Sequence, residues 1–455
     1  MWATIVIVAV PVALYLFALA VNWRDQPPNA EALELAAAAT PDPIPDSANA
    51  YVYVLGFAVP RVGDPALIGA TRADWIRALA ADTEIDRASD PYPGSAPEFQ
   101  QIPEPLAAVL TPCSTPDASC VAAFDAATGT LREQLDAQRP LIERYRTLLG
   151  LRAWRDVTTS DARGPLASYA EVGYARRLFL LDTWLLAAAG DVNEVRARLE
   201  TDLALWRMAL AESDSLYSKI IAAAYVRQHF AWGNLILRRL PAERRADGVP
   251  EAWRKTLTAA ERSLRRTLKN EWRVVNSSIQ SMKAHGLAVP RPARVADPRS
   301  TFARVATQLE LALLQPQATA NRYAAVFAKL EKLVNLPYAE LGAALEHAPE
   351  FDEPPTGVFA VTYNLLGNAL ATPDPSLLAN YGVRIADLEG ARRAAMLTVD
   401  LRVLKIPAEL AGAMIPLAAV RDPYTGGPFA WTAEPATVSF TGLERGPGAH
   451  HTFLY

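Results

Sequence analysis

Cysteine and histidine are scarce: 455 residues contain two cysteines, Cys113 and Cys120, and five histidines. Two thiols fall short of a structural zinc site, which takes about four ligands. Their spacing in Thr-Pro-Cys-Ser-Thr-Pro-Asp-Ala-Ser-Cys is not the CxxC of a redox motif. The histidines, His229, His285, His347, His450 and His451, have no second ligand at helical spacing, and HExxH is absent. Also missing are a GxSxG elbow, a Walker A loop and a GxGxxG turn after a strand. No cofactor, metal or catalytic residue is therefore expected. Excess charge is missing too. A net charge of −4 and a pI near 5.9 give no polycation for nucleic acid. With 51% hydrophobic and 21% charged residues, a disordered chain is excluded.

Charge is absent altogether from Trp2 to Val21, WATIVIVAVPVALYLFALAV. Twenty helical residues reach about 30 Å, the thickness of the hydrocarbon layer. Pro11 is tolerable in a membrane helix, and Trp2 and Trp23 stand at the two edges, where indoles favour the interface. The run predicts a transmembrane anchor over 1–21. The rival is a signal peptide cleaved at Ala18-Leu19-Ala20, but no Lys or Arg precedes the run and it is long for an h-region. Orientation is weakly specified, since Asp25 offsets Arg24. The cysteine pair and the lack of a second apolar run argue for a body outside the cytoplasm, in an oxidising space where Cys113 and Cys120 form a disulfide.

Residues 22–47 carry Pro27, Pro28, Pro41, Pro43 and Pro45 around an Ala-rich piece. They predict an extended tether holding the body away from the membrane. A mixed segment, 48–127, holds the cysteine loop and begins with Ala50–Val59, whose β-branched and aromatic residues read as a strand, with a short helix as the alternative. A helical body is expected over 128–410. Val192, Val195, Leu199, Leu203, Trp206 and Leu210 recur at steps of three and four. So do Trp253, Leu257, Ala260, Leu264, Leu268, Trp272, Val275 and Ile279, over nearly eight turns. Further stripes run through 128–149, 166–189, 214–239, 318–335 and 385–405. Gly190-Asp191 separates two helices, with Asp191 as an N-cap. Short breaks predict antiparallel neighbours in a bundle or solenoid, without a regular 34-residue repeat. In 411–455, Phe429–Trp431 and Thr437–Phe440 flank a turn at Glu434-Pro435 and predict a small β-hairpin, followed by a tail with His450 and His451. The fold class is mainly α, with an N-terminal transmembrane helix and a small C-terminal hairpin.

Few side chains invite a chemical role. Asp82, Glu84, Asp86 and Asp90 resemble a calcium loop but carry Arg87 and Pro93 where that loop needs Gly and Glu. Asp182 sits in an apolar run and needs a partner, expected to be an Arg on a neighbouring helix. His229 is expected to be structural. Arg262, Arg265, Arg266, Lys269 and Arg273 share one helix face. They read either as a solvated face paired with Glu261 and Glu271 or as a docking stripe for an acidic protein or anionic lipid.

Three blocks carry a resemblance: Asn49-Ala-Tyr-Val-Tyr-Val-Leu-Gly-Phe57 with Gly63-Asp-Pro65, Gln315-Pro-Gln-Ala-Thr-Ala-Asn321, and Asp422-Pro-Tyr-Thr-Gly-Gly-Pro428. They are similar to segments of uncharacterised, membrane-anchored proteobacterial envelope proteins. Gly427 stands where the related endings carry Lys. The resemblance brings no activity and no site residues. It supports the envelope placement, and with the apolar run and the cysteine pair the expectation is a single-pass protein of the bacterial inner membrane with its body in the periplasm. The expected role is a helical scaffold or interaction component, bound to the membrane through residues 2–21 and to another envelope protein or anionic lipid. The alternatives are an envelope hydrolase and a binding protein for a hydrophobic ligand.

Overall fold

The structure, a computed structural model, describes residues 2–37, 44–81, 89–91, 102–111, 113, 118–157, 165–285, 308–352, 356–370 and 374–455. Helices make up most of it. Helix α1 (Trp2–Val21) and the short α2 (Ala30–Ala36) come first, then α3 (Ala50–Leu55) and α4 (Pro65–Ala81). Next come α5 (Glu104–Leu110), α6 (Ala118–Ala137) and α7 (Arg139–Leu149). The centre of the body is α8 (Ala170–Ala188), α9 (Val192–Glu212) and α10 (Leu216–Arg239). Asp191 caps α9 by accepting the Glu194 N–H, as its position between the two stripes predicts. Successive members of this trio pack on each other, and α10 also packs on the long α18 defined below. Trp154, Trp184, Trp206, Trp232 and Trp253 are fully buried among them.

Several expectations need correction. The segment 50–59 opens with a helix, not a strand. Asn49 caps it by accepting the Tyr51 N–H, and all six α3 side chains are buried. Burial thus overrides the β-propensity of Val52 and Val54. A Cβ on Gly69 of α4 would lie 2.0 Å from the Val52 carbonyl oxygen, so only glycine allows this close crossing.

The stripe from Trp253 to Ile279 is not one helix. It is a 3-10 turn at Glu251–Arg254, a single turn α11 being already complete at Arg245–Gly248, then α12 (Ala259–Arg262) and α13 (Arg265–His285). Thr258 and Glu261 form a capping box that restarts the helix. Ser263 then turns extended and donates its hydroxyl to Glu331 at 2.6 Å. The chain continues through α14 (Pro316–Val334), α15 (Tyr338–Leu345), α16 (Val358–Thr362) and α17 (Leu365–Ala369) to α18 (Pro375–Val403) and α19 (Ala408–Met414).

The C-terminal hairpin is present as β1 (Ala430–Ala433) and β2 (Ala436–Thr441), paired antiparallel with Ala433 opposite Ala436. His450 and His451 belong to a third strand, β3 (His450–Leu454), antiparallel to β2, rather than to a free tail. The sheet seats Phe440 against Gly390 of α18, where a Cβ would lie 2.1 Å from the ring.

Among the described residues no helix is long and apolar enough to cross a membrane. In α1 the side chains are described from Ala9 to Val21, which reaches about 20 Å. Asp82, Glu84 and Asp86 of the acidic loop lie outside the described residues, as do 38–43 of the expected tether. Asp90 pairs with Arg72 at 3.1 Å.

Candidate functional site

The segment leaving α1 does not stand off as a spacer; it is clamped to the body. Asn22 is buried, donates to the Thr362 carbonyl at 2.9 Å and accepts the Asn364 N–H at 2.6 Å. The Gln315 amide donates to the Asn22 carbonyl at 2.5 Å. The Asp25 carboxylate accepts the Gln317 and Ala318 N–H groups at 2.7 and 3.0 Å. It thereby satisfies orphan donors at the start of α14 and sets a negative charge at that helix's positive end. Asn29 caps α2 and pairs with Asn321, whose amide in turn donates to the Pro27 carbonyl. Prolines therefore shape this stretch without isolating it.

Part of the basic stripe faces this same segment. Arg265 pairs with Glu34 of α2 at 2.5 Å, while Lys269 and Arg273 both donate to the Ala37 carbonyl at the end of α2. Cations there complement the negative end of the helix. Arg266 binds Glu212 and Asp214. Arg262 lies over the Tyr338 ring, 4.2 Å from its centre, and donates to the Leu336 carbonyl at 2.7 Å. The five cations thus engage the chain itself, three of them through α2 and its end. Their partners are not the expected ones. Glu261 binds Arg207, and Glu271 accepts the Leu216 N–H.

Beside the C-terminal end of α1 lies a partial collar of exposed apolar side chains. Val358 and Phe359 of α16 are 72% and 69% exposed, and Val361 on the same helix is exposed as well. Phe359 meets Phe17 of α1 with ring centres 5.9 Å apart. The Tyr15 hydroxyl donates to the carbonyl of Leu309, another exposed apolar residue, and Trp23 projects almost entirely free. Beside this collar is a groove of about 700 Å³ lined by Val21, Asn29, Asn321, Arg322, Phe359 and Tyr363 among others. Arg322 is held there by a bidentate pair with Asp352 at 2.6 and 2.9 Å.

Among the described residues, the arrangement that looks most catalytic is closed. His229 and Asp202 are fully buried, with Nδ1 of His229 2.7 Å from Asp202. The Trp253 indole N–H donates to the other imidazole nitrogen at 2.8 Å. The neutral tautomer with its proton on Nδ1 satisfies both contacts, leaving no basic nitrogen for a substrate. Burial lowers the His229 pKa, in keeping with that neutral state. Asp202 also accepts the Tyr145 hydroxyl at 2.6 Å and two N–H groups of Arg176 at 2.9 Å. Burial opposes its charge, but Arg176 and His229 more than offset this and hold its pKa below the usual carboxylate range. His229 is structural, as expected. Asp182 has the expected neighbours, Arg198 at 2.7 Å and Arg139 at 3.2 Å.

Asp202, Arg176 and Tyr145 escaped sequence reasoning. The signal was Asp202 itself, placed in phase with Leu199, Leu203 and Trp206 on a buried stripe. Cys113 and Cys120 are buried, with their sulfurs 2.06 Å apart. Among the described residues no group of three or more His, Cys, Asp or Glu stands ready for a metal. Comparison with family models, with curated proteins and with solved structures finds no match.

Proposed function

We propose that this chain is a single-pass protein of the bacterial inner membrane. Its helical body lies directly on the periplasmic face and serves as a scaffold or interaction component there. The observation that carries the membrane part is the partial apolar collar beside the end of an uncharged 20-residue helix. Phe17 and Tyr15 lie four and six residues before Val21, so their contacts with Phe359 and Leu309 fall about 6–9 Å inside the end of α1. Amphipathic elements at a bilayer surface bury their apolar face to about that depth. The Cys113–Cys120 pair supports an oxidising compartment. The clamp from Asn22 to Asn29 supports a body seated on the bilayer rather than held above it.

The scaffold part is supported by the buried polar groups of the central helices. Asp202, Arg176, His229 and Tyr145 hold α7 to α10 in one register. With the basic stripe engaged by the chain itself, a protein partner would meet the body elsewhere. The test combines alkaline extraction of membranes carrying the full chain, a topology reporter fused after Tyr455, and crosslinked co-purification. Retention in the pellet, a reporter active only outside the cytoplasm, and a recurrent crosslinked partner are expected. Release into the supernatant or a cytoplasmic reporter refutes the placement. A chain recovered only as the free monomer refutes the scaffold role.

A further inference from the structure

We propose that a second cavity, toward the C-terminal half of α18, is a binding site for a small phosphate-bearing molecule. The cavity has a volume of about 350 Å³ and is lined by Arg254, Arg392, Arg393 and Arg421, with Asp400 and an apolar wall that includes Met396 and Val420.

Its arginines differ in how fully they are engaged. Arg392 uses Nε and Nη2 on Glu389 and Nη1 on the Trp253 carbonyl at 2.8 Å. Arg393 shares Glu389 through Nε at 2.8 Å and donates Nη1 to the Arg421 carbonyl at 3.2 Å. Arg421 donates Nη2 to the Pro416 carbonyl at 3.0 Å, but its Nη1 is buried with no hydrogen-bond partner among the described residues. Arg254 is exposed at the rim. Four guanidinium charges against Glu389 and Asp400 leave two positive charges at the site.

A cavity walled by guanidinium groups in excess over carboxylates concentrates an anion there. Guanidinium forks suit phosphate oxygens because they offer paired, charge-assisted N–H donors in one plane. The frame is rigid before any ligand arrives. Arg392 ties the 251–254 turn to α18, and Arg393 ties the 418–421 segment to it. Such preorganisation removes ordering cost from binding. The space exceeds one phosphate group, and Met396 and Val420 give the rest of the ligand an apolar wall.

The site does not depend on the membrane reading, so the two fail separately. The experiment is calorimetric titration of the detergent-solubilised full chain with inorganic phosphate and with glycerol phosphate. A parallel arm measures binding of the chain, inserted in zwitterionic nanodiscs, to vesicles containing phosphatidylglycerol. Wild type should bind a soluble phosphate compound, with at least a tenfold weaker Kd in Arg421→Met and in Arg254→Gln. Arg254→Gln alters an exposed side chain and keeps the result interpretable if Arg421→Met folds poorly. Lys255→Gln, a neighbouring change outside the cavity, should leave the Kd within twofold. Vesicle binding alone, lost in the same two variants, assigns the phosphate to a lipid headgroup. No binding in either arm, or binding equally weakened by Lys255→Gln, overturns the proposal.

Discussion

Asp202→Asn should be among the most damaging single substitutions in this chain. Asp202 accepts four hydrogen bonds, two on each oxygen: Tyr145 and Arg176 Nε on one, Arg176 Nη2 and His229 Nδ1 on the other. Whichever way the amide is turned, its NH2 faces two donors. The substitution also removes the only carboxylate bonded to Arg176 among the described residues, and that guanidinium is fully buried. Removing one partner of a buried ion pair costs about 3–5 kcal/mol, a large part of the roughly 5–15 kcal/mol that holds a typical protein folded. Urea unfolding followed by tryptophan fluorescence reads this directly, since Trp206 and Trp253 touch the network. Replacing the pair together, Arg176→Met with Asp202→Leu, should be less harmful than Asp202→Asn alone, because no charge is stranded. Stability from Asp202 should be present above pH ~4 and lost as pH falls through its depressed folded value. His229, also lowered, adds a loss that begins as pH drops below ~6.5, where the unfolded chain takes up a proton that the folded chain refuses. A ΔΔG under about 1 kcal/mol for Asp202→Asn, well below the range for such a pair, would refute the reasoning.

Two further outcomes follow. Asp156 is buried between the Trp154 indole N–H and the Ser215 N–H, each at 2.7 Å, and burial pushes its pKa up to about 7. Its contribution should therefore be present at low pH and lost as pH rises through 7. The stability difference between wild type and Asp156→Asn, measured by urea titration from pH 5 to pH 8, should fall as pH rises; a flat difference contradicts this. Breaking the Cys113–Cys120 link with Cys120→Ser should remove about 2–3 kcal/mol by the chain-entropy model. That loss should vanish when both proteins are compared under reducing conditions, and a loss that persists there would assign it to packing instead.

Periodicity carried most of this architecture. The stripe from Val192 to Leu210 and the cap at Asp191 specify α9 because helix and burial share one period. The same rule failed at Trp253–Ile279, where a capping box at Thr258 interrupts the backbone without disturbing the apolar spacing. It failed at Val52 and Val54 because full burial makes β-propensity a weak guide. The prolines of 22–47 suggested a spacer, yet Asn22, Asp25 and Asn29 within it find acceptors and donors hundreds of residues away, a pairing that no local pattern encodes. The basic stripe was visible, but its counterpart, the end of α2, was not. The collar was hidden for another reason. Val358, Phe359 and Val361 form a run too short to stand out until the fold sets it against Phe17.

The most direct measurement of how the body sits is the depth of α16 in a bilayer. A nitroxide attached at Val358→Cys in the full chain, reconstituted in lipid vesicles, reports collision with oxygen, which concentrates in lipid, and with a water-soluble nickel chelate. The account predicts high oxygen and low nickel accessibility at 358, and the opposite at the fully exposed Val62→Cys. Equal nickel accessibility at the two positions would contradict it.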